Sequence, residues 1–377
     1  MSARSVISVL DPAKFDVIQI GITLEGNWLT GPDALENFEK GDVSQLKQVV
    51  PPTEPAHQAL YTRSPLKEGE RLESLGTVDV FFPVLHGPFG EDGTMQGLFE
   101  LADVAYVGAG VVGSGVGMDK AVFKDVMRAQ GIPIVPSMLI LRGDVEKDLD
   151  AVIERIERVL DDYPLFTKPG NLGSSVGISK CRSRSDLGEG LMEAARYDRR
   201  LIVERGAGNA REIEVSVLGN EDPQASVCGE ILPSREFYSY ESKYIDGTSG
   251  LIIPAQLPEP VSDQVREYAV RAYQAIDCAG MARADFFVEK DSNRIYLNEL
   301  NTIPGFTSIS MYPKLWQASG LTYGQLVDRL IQLALERKAQ RDRTEHRRTV
   351  LAKNGNLPAP NWCAPAGLNG ISRVYCP

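Results

Sequence analysis

The chain has 377 residues, 43% of them hydrophobic and 24% charged, enough to bury a sizeable core divided among two or three domains. Its 40 basic and 51 acidic residues leave a net charge of −11, which argues against nucleic acid or an anionic membrane as the main partner and favours a small-molecule substrate. No apolar run approaches the ~18 residues that span a bilayer, and the opening MSARSV lacks the apolar core of a signal peptide, so a cytoplasmic location is expected.

Residues 3–10 read as a helix, and FDVIQIGIT (15–23) as a strand closed by the turn EGNW. VDVFFPVLHG (78–87), apolar on both faces, and AYVGAG (105–110) read as further strands. Alternating with helical segments, they predict an α/β fold that opens on a doubly wound parallel sheet, with residues 1–115 as its domain. A helix over 119–130 ends at Gly131, and the strand IPIVPSMLI follows. Next come the helix DVEKDLDAVIERIERVL, the short strand LFTKP, a Gly/Ser loop, and LIVERGAG, whose small residues suggest a hinge near 205–210. Residues 116–205 and 206–340 form two further domains. The last of these carries REIEVSVLG, ASVCGEI, ADFFVEKD and RIYLNELN as an antiparallel set, a helix over 261–278 and a closing helix over 322–339. From 341 to 377 a basic run and a Pro-, Gly- and Asn-rich stretch predict a disordered tail.

Cys181, Cys228, Cys278, Cys363 and Cys376 show no C-x-x-C spacing and only three histidines accompany them, which supports neither a zinc site nor a disulfide framework; free thiols are expected. GAGVVG (108–113) matches G-x-G-x-x-G, but the acidic residue due about 20 positions later is absent, so a dinucleotide site is not supported.

Two stretches carry chemistry. In ARADFFVE, Arg283 and Asp285 share one strand face, as do Glu299 and Asn301 in YLNELN. If those strands are neighbours, Asp285, Glu299 and Asn301 converge as an oxygen-only set suited to Mg²⁺ or Mn²⁺; a solvated sheet face is the alternative. In KPGNLGSSVG (168–177), small residues leave backbone N–H groups free for phosphate oxygens, with Lys168 adding positive charge, although the Walker pattern is absent and a flexible turn is the other reading. Glu204 in LIVERGAG could meet a purine and Glu212 ribose hydroxyls; in isolation both also read as surface carboxylates.

Taken together, Lys120 in MDK, Lys168 with GSSVG, Glu204 in IVERG, Glu212, FYSYESKY, the RAD strand, NELNTIPG and HGPFGEDG resemble, in order from about residue 2 to 339, the ATP-grasp enzymes, and within them the D-alanine–D-alanine ligases. The resemblance implies a two-lobed ATP-grasp fold, α+β in character, and ATP-dependent ligation of two D-alanine molecules for peptidoglycan. It implies that Lys120 and Lys168 hold the α- and β-phosphates, and that Gly173, Ser174, Ser175 and Val176 cover the triphosphate. Glu204 and Ala207 would meet adenine and Glu212 the ribose. Asp285, Glu299 and Asn301 would bind two Mg²⁺ ions, with Glu299 bridging them. Arg283 and the Gly305 amide would stabilise an oxyanion, His86 would contact substrate, and Ser310 with Met311 would hold the second D-alanine carboxylate. Lys243 and Tyr244 would end a mobile loop that closes on the γ-phosphate. The family's D-lactate-using members carry a histidine in that loop, and here none occurs between His86 and His346, so a dipeptide product is expected. A homodimer through the amino-terminal domain is implied as well.

The resemblance departs at the amino end. The family opens with a strand and a G-G-x-S-x-E-H-x-V-S turn whose glutamate binds the first D-alanine and bonds to the serine and tyrosine matching Ser174 and Tyr244. This sequence starts just after that point, at Met1-Ser2-Ala3-Arg4. Loss of a central strand exposes backbone and apolar surface, so poor stability or weak activity is expected of these residues alone. The alternatives are another ATP-grasp carboxylate–amine ligase, or an inactive nucleotide-binding homologue.

Overall fold

The computed structural model describes residues 1–53, 59–66, 69–173, 176–232, 250–307 and 309–344. Helix α1 (Ser2–Ile7) opens the chain, and the segment read as one strand over 15–23 contributes only β1 (Ile20–Ile22). It turns back at once. Thr23 donates its N–H to the Asn27 carbonyl and Gly26, at φ +84°, donates to Thr23, so β1 pairs antiparallel with β2 (Trp28–Thr30). After α2 (Ala34–Lys40), strands β3 (Lys47–Val50), β4 (Ala59–Pro65) and β5 (Glu70–Thr77) extend this sheet in chain order, every pairing antiparallel.

The doubly wound parallel sheet is thereby corrected in extent, within the expected α/β class. Among the described residues of this region, parallel pairing is confined to β6 (Val80–Phe81) and β7 (Ala105–Tyr106). Pro83 helps to end β6, because proline has no N–H to give a ladder. Between these strands lies α3 (Thr94–Leu101), and α4 (Val111–Met118) follows with Gly110 as its N-cap. The glycines of GAGVVG serve close packing. A Cβ on Gly113 would meet the Asp277 carbonyl at 3.0 Å, and one on Gly280 would meet the Gly108 nitrogen at 3.1 Å.

Helix α5 (Lys120–Ala129) is capped by Asp119, whose Oδ1 accepts from the Ala121 and Val122 N–H groups at 3.1 and 3.0 Å. Gly131, at φ +66°, lies just beyond its C-terminus. Strand β8 (Ser137–Leu141) leads to a helical stretch that Asp148 divides into α6 (Arg142–Lys147) and α7 (Leu149–Leu160) rather than the one helix expected; its Oδ1 caps α7 through the Ala151 N–H. With β9 (Leu165–Pro169), β10 (Ser179–Cys181), α8 (Arg184–Tyr197) and β11 (Arg200–Arg205), this region forms an antiparallel sheet in the order β10-β9-β11-β8, packed over Ile156, Leu187, Leu191 and Leu201.

A larger sheet carries the antiparallel set that the sequence leads one to expect. Strands β12 (Ala210–Gly219), β13 (Gln224–Ala225), β14 (Gly229–Leu232), β15 (Gly250–Ile252), β16 (Gly280–Glu289) and β17 (Ile295–Asn301) run in the order β15-β14-β12-β16-β17, with β13 also on β12. Helix α9 (Glu259–Ala275) covers one face through Val265, Ala269, Ala272 and Tyr273, which pack on Ile213, Val215, Ala284 and Leu300. Helices α10 (Met311–Ala318) and α11 (Tyr323–Asp342) close the chain's described part. Of the predicted tail, 345–377 lie outside the described residues. Cys181, Cys228 and Cys278 are buried free thiols.

Candidate active site

Strands β12, β16 and β17 lie side by side, and their register lines up two rows. Glu214 pairs with Asp285, which pairs with Glu299; Ser216 pairs with Arg283, which pairs with Asn301. The neighbouring positions Val215, Ala284 and Leu300 enter the core, so the polar rows occupy the opposite face. A register shift between Asp285 and Phe286 makes this possible. Phe286 pairs with Leu297 while Asp285 pairs with Glu299, leaving Asn298 as an extra residue. Strict alternation would place Leu297 on the same face as Glu299. The bulge instead buries Leu297 in the core and leaves Glu299 and Asn301 on the polar face.

Arg283 is the hub of these rows. Its Nε and Nη2 donate to Asp285 Oδ1 and Oδ2 at 2.7 and 2.6 Å, and Nε lies 3.0 Å from Glu214 Oε2. Burial works against its charge, but Asp285 and Glu214 outweigh it and hold the guanidinium well above its ordinary value. Asn301 Nδ2 donates to Asp285 Oδ2 at 3.0 Å. Among the described residues no three carboxylate, imidazole or thiol side chains gather as a ready metal site. The donor chemistry nevertheless fits a hard cation: Asp285 and Glu299 are cross-strand partners, and Asn301 supplies an amide oxygen once its side chain turns over.

A second charged cluster lies on the β8–β11 sheet and α5. Glu204, on β11, takes Lys168 Nζ at 2.6 Å and Lys124 Nζ at 3.0 Å, with all three side chains almost wholly buried. Burial alone would raise the Glu204 carboxyl, but Lys124 and Lys168 bring it down to about 2. Burial lowers both Lys120 and Lys124, whereas for Lys168 the attraction of Glu204 overcomes burial and raises it. Lys120 Nζ donates to the Leu172 carbonyl at 2.6 Å, tying the first residue of α5 to the glycine loop. Glu299 of the acid platform attracts all three lysines, so the two clusters share one electrostatic field.

A third contribution comes from the HGPFGEDG segment and the turn after β17. His86 Nδ1 lies 3.1 Å from the Ile303 carbonyl, and desolvation holds the imidazole below its ordinary value, aided by Arg283 although opposed by that carbonyl contact. Glu91 Oε2 accepts the Gly87 N–H. Ser310 Oγ accepts from the Thr307 N–H at 3.0 Å and would meet a Cβ on Gly305 at the same distance, so the Gly305 amide and Ser310 adjoin.

The structure thus gathers Arg283, Asp285, Glu299 and Asn301 on one platform, with Lys120, Lys168 and Glu204 coupled to it. Glu212 lies on β12, two residues from Glu214 on the same face. Ala207 follows β11 half-buried, Gly173 is half-buried and Val176 exposed. The Glu204 carboxylate is enclosed by Lys124 and Lys168, unlike a surface carboxylate, and the Met311 side chain packs with Ile231 and Leu315. Ser174, Ser175, Lys243 and Tyr244 lie outside the described residues.

Sequence reasoning missed Lys124 and Glu214. Lys124 stands four residues after Lys120 and hence on the same helix face, and Glu214 shares a strand face with Glu212; these spacings were the available signals.

An acid platform on one antiparallel sheet, coupled to buried lysines on a second sheet and on α5, fits the ATP-grasp class. The sequence family "D-ala D-ala ligase N-terminus" matches residues 1–109 and "D-ala D-ala ligase C-terminus" matches 126–332. The D-alanine–D-alanine ligase of Acetivibrio thermocellus is 44% identical over 346 residues, covering 89% of this chain and 92% of that one. That of Heliobacterium modesticaldum is 47% identical, covering 91% and 93%. Among solved structures, the D-alanine–D-alanine ligase of Coxiella burnetii superposes with a TM-score of 0.75 at 35% identity, covering 90% of each chain. The VanG D-Ala:D-Ser ligase of Enterococcus faecalis gives 0.76 at 36%, covering 88% of this chain and 94% of that one. The chain belongs to the D-alanine–D-alanine ligase family, and it is an ATP-dependent ligase.

Proposed function

We infer that this chain joins two D-alanine molecules into D-alanyl-D-alanine at the expense of ATP, the dipeptide step of peptidoglycan precursor synthesis. The observation that carries this reading is Arg283, held by Asp285 and Glu214 on the face shared with Glu299 and Asn301, in a chain of this family. A carboxylate is a poor electrophile, so the γ-phosphoryl group passes first to the carboxylate of one D-alanine. The amine of the second attacks the acyl phosphate, and inorganic phosphate leaves.

In this reading Lys120 and Lys168 hold the α- and β-phosphates, and the backbone of 173–176 covers the triphosphate. Glu204 and Ala207 lie at the adenine and Glu212 at the ribose. Freeing Glu204 for adenine asks it to relax its lysine pairs, which the arriving phosphates favour by drawing those lysines toward themselves. Arg283 and the Gly305 N–H stabilise the oxyanion formed on attack, while His86 contacts the substrate and Ser310 with the Met311 backbone holds a carboxylate. Asp285, Glu299 and Asn301 would hold Mg²⁺ or Mn²⁺, two ions in all, which would supply charge neutralisation on the phosphates. Lys243 and Tyr244 close over the γ-phosphate and exclude water.

The same reading assigns 1–115, 116–205 and 206–340 as an amino-terminal domain and two nucleotide-grasping lobes. It places the enzyme in the cytoplasm as a homodimer. Among the described residues no helix is long and apolar enough to cross a membrane. Phosphate release from ATP with Mg²⁺ tests the reading. D-alanine-dependent release with dipeptide formation is expected. Release with a different amino acid would transfer the chain to another carboxylate–amine ligase, and ATP binding without turnover would leave an inactive homologue.

A further inference from the structure

The short stretch Tyr197-Asp198-Arg199-Arg200, where α8 passes into β11, grips both described ends of the glycine loop. Asp198, half-buried, holds two backbone amides: its Oδ2 accepts the Asn171 N–H at 2.7 Å and its Oδ1 the Arg200 N–H at 3.1 Å. The Arg200 carbonyl accepts the Gly170 N–H at 2.8 Å, and the Gly170 carbonyl in turn accepts the Lys120 N–H at 2.9 Å. Lys120 Nζ then reaches the Leu172 carbonyl at 2.6 Å. One run of bonds therefore joins Asp198, the loop entry and Lys120.

A second tie runs beside it. Arg200 Nη1 pairs with Asp119 Oδ2, while the other oxygen of Asp119 caps α5 just ahead of Lys120. The packing leaves no room for a side chain at either end of the loop: a Cβ on Gly170 would meet the Arg200 carbonyl at 2.9 Å, and one on Gly177, at φ +70°, would meet the Tyr197 ring at 2.7 Å. Helix α8 itself gains nothing. Asp198 is its C-cap, where a carboxylate faces the negative end of the macrodipole, so the charge works against the helix. The two charge-assisted amide bonds offset that cost, and they go to the loop and to β11.

We propose that Asp198 is a positioning residue for the nucleotide, holding the Asn171 and Arg200 amides so that the glycine loop and the Lys120 ammonium are set toward one triphosphate. This rests on the ligase reading above, in which that loop covers the phosphates. A loop already held at its entry loses less conformational entropy on ordering around a ligand, so the benefit falls on ATP. D-alanine, bound at the Arg283 platform in that reading, does not share it.

The test is ATP affinity by equilibrium dialysis with Mg²⁺ and no amino acid, for the full chain and its Asp198→Ala and Asp198→Asn variants, followed by KM for ATP and for D-alanine in phosphate release. Asp198→Ala removes both acceptors and is expected to weaken ATP binding and raise its KM about tenfold, with the KM for D-alanine within about twofold. Asparagine keeps one acceptor oxygen and drops the charge that α8 disfavours, so D198N is expected to keep its fold and to lose about threefold in ATP affinity. A circular dichroism melt identifies the folded variants. ATP affinity like the parent's in folded D198N, or equal rises in KM for ATP and D-alanine, overturns the proposal and leaves the ligase reading standing. A parent chain that binds ATP but releases no phosphate with D-alanine overturns the ligase reading, and the dialysis still decides the role of Asp198.

Discussion

The lysine cluster beneath β11 and the acid platform of β12, β16 and β17 both bury charge, but with opposite excess. In the first, Lys124 and Lys168 pair with the single carboxylate of Glu204 and Lys120 adds charge nearby; in the second, Glu214 and Asp285 pair with the single guanidinium of Arg283 and Glu299 adds charge nearby. Each cluster is incomplete alone. The first lacks negative charge, and the second lacks positive charge. In the proposed reading a polyphosphate accompanied by divalent cations would supply both, so that buried charge costly in the empty protein would become favourable with ATP bound.

Breaking the acid platform at its hub is expected to have the largest effect. Arg283→Ala removes the proposed oxyanion donor and leaves Glu214 and Asp285 without their guanidinium, so kcat is expected to fall by about two to three orders of magnitude while the fold persists. Stopped-assay turnover together with a circular dichroism melt checks this. A fall of less than tenfold would remove Arg283 from the chemistry.

In the lysine cluster the expected loss is one of stability. Lys124→Met removes one of two cations from Glu204, and because Lys168 remains, the cost is about 2 kcal/mol, below the ~3–5 kcal/mol of a lone buried charge. The urea midpoint at pH 7 reports it. A pH-dependent effect sharpens the same contrast. The Glu204 carboxyl is depressed from 4.5 to about 2, so its stabilisation is present above pH 4.5 and is lost as pH falls from there toward 2. Unfolding curves between pH 5 and pH 2 should therefore be steeper in pH for the parent than for Glu204→Gln, and equal slopes would refute the pairing.

How much of this was legible in the sequence depends on how local each feature is. Arg283 and Asp285, and Glu299 and Asn301, stand two apart in strands, so alternation alone puts each pair on one face, and the observed register joins the pairs. Alternation also misplaces Leu297, because nothing in YLNELN announces that Asn298 is an extra residue. Lys124 looks like a solvated helix lysine until the β8–β11 sheet covers it. The extent of the amino-terminal parallel sheet is less legible for a similar reason: the apolar stretch 78–87 suits a buried parallel strand, but Pro83 interrupts it, and the Gly26 turn folds the 15–23 segment back on itself.

The central claim is that the two clusters act on one ligand, and a double-mutant cycle on Lys168→Met and Glu299→Gln, read as kcat/KM for ATP, tests it most directly. Groups that grip the same nucleotide should be coupled, so the double variant is expected to lose about tenfold less than the product of the single losses. Losses that simply multiply would mean the lysines and the acid platform serve separate ends.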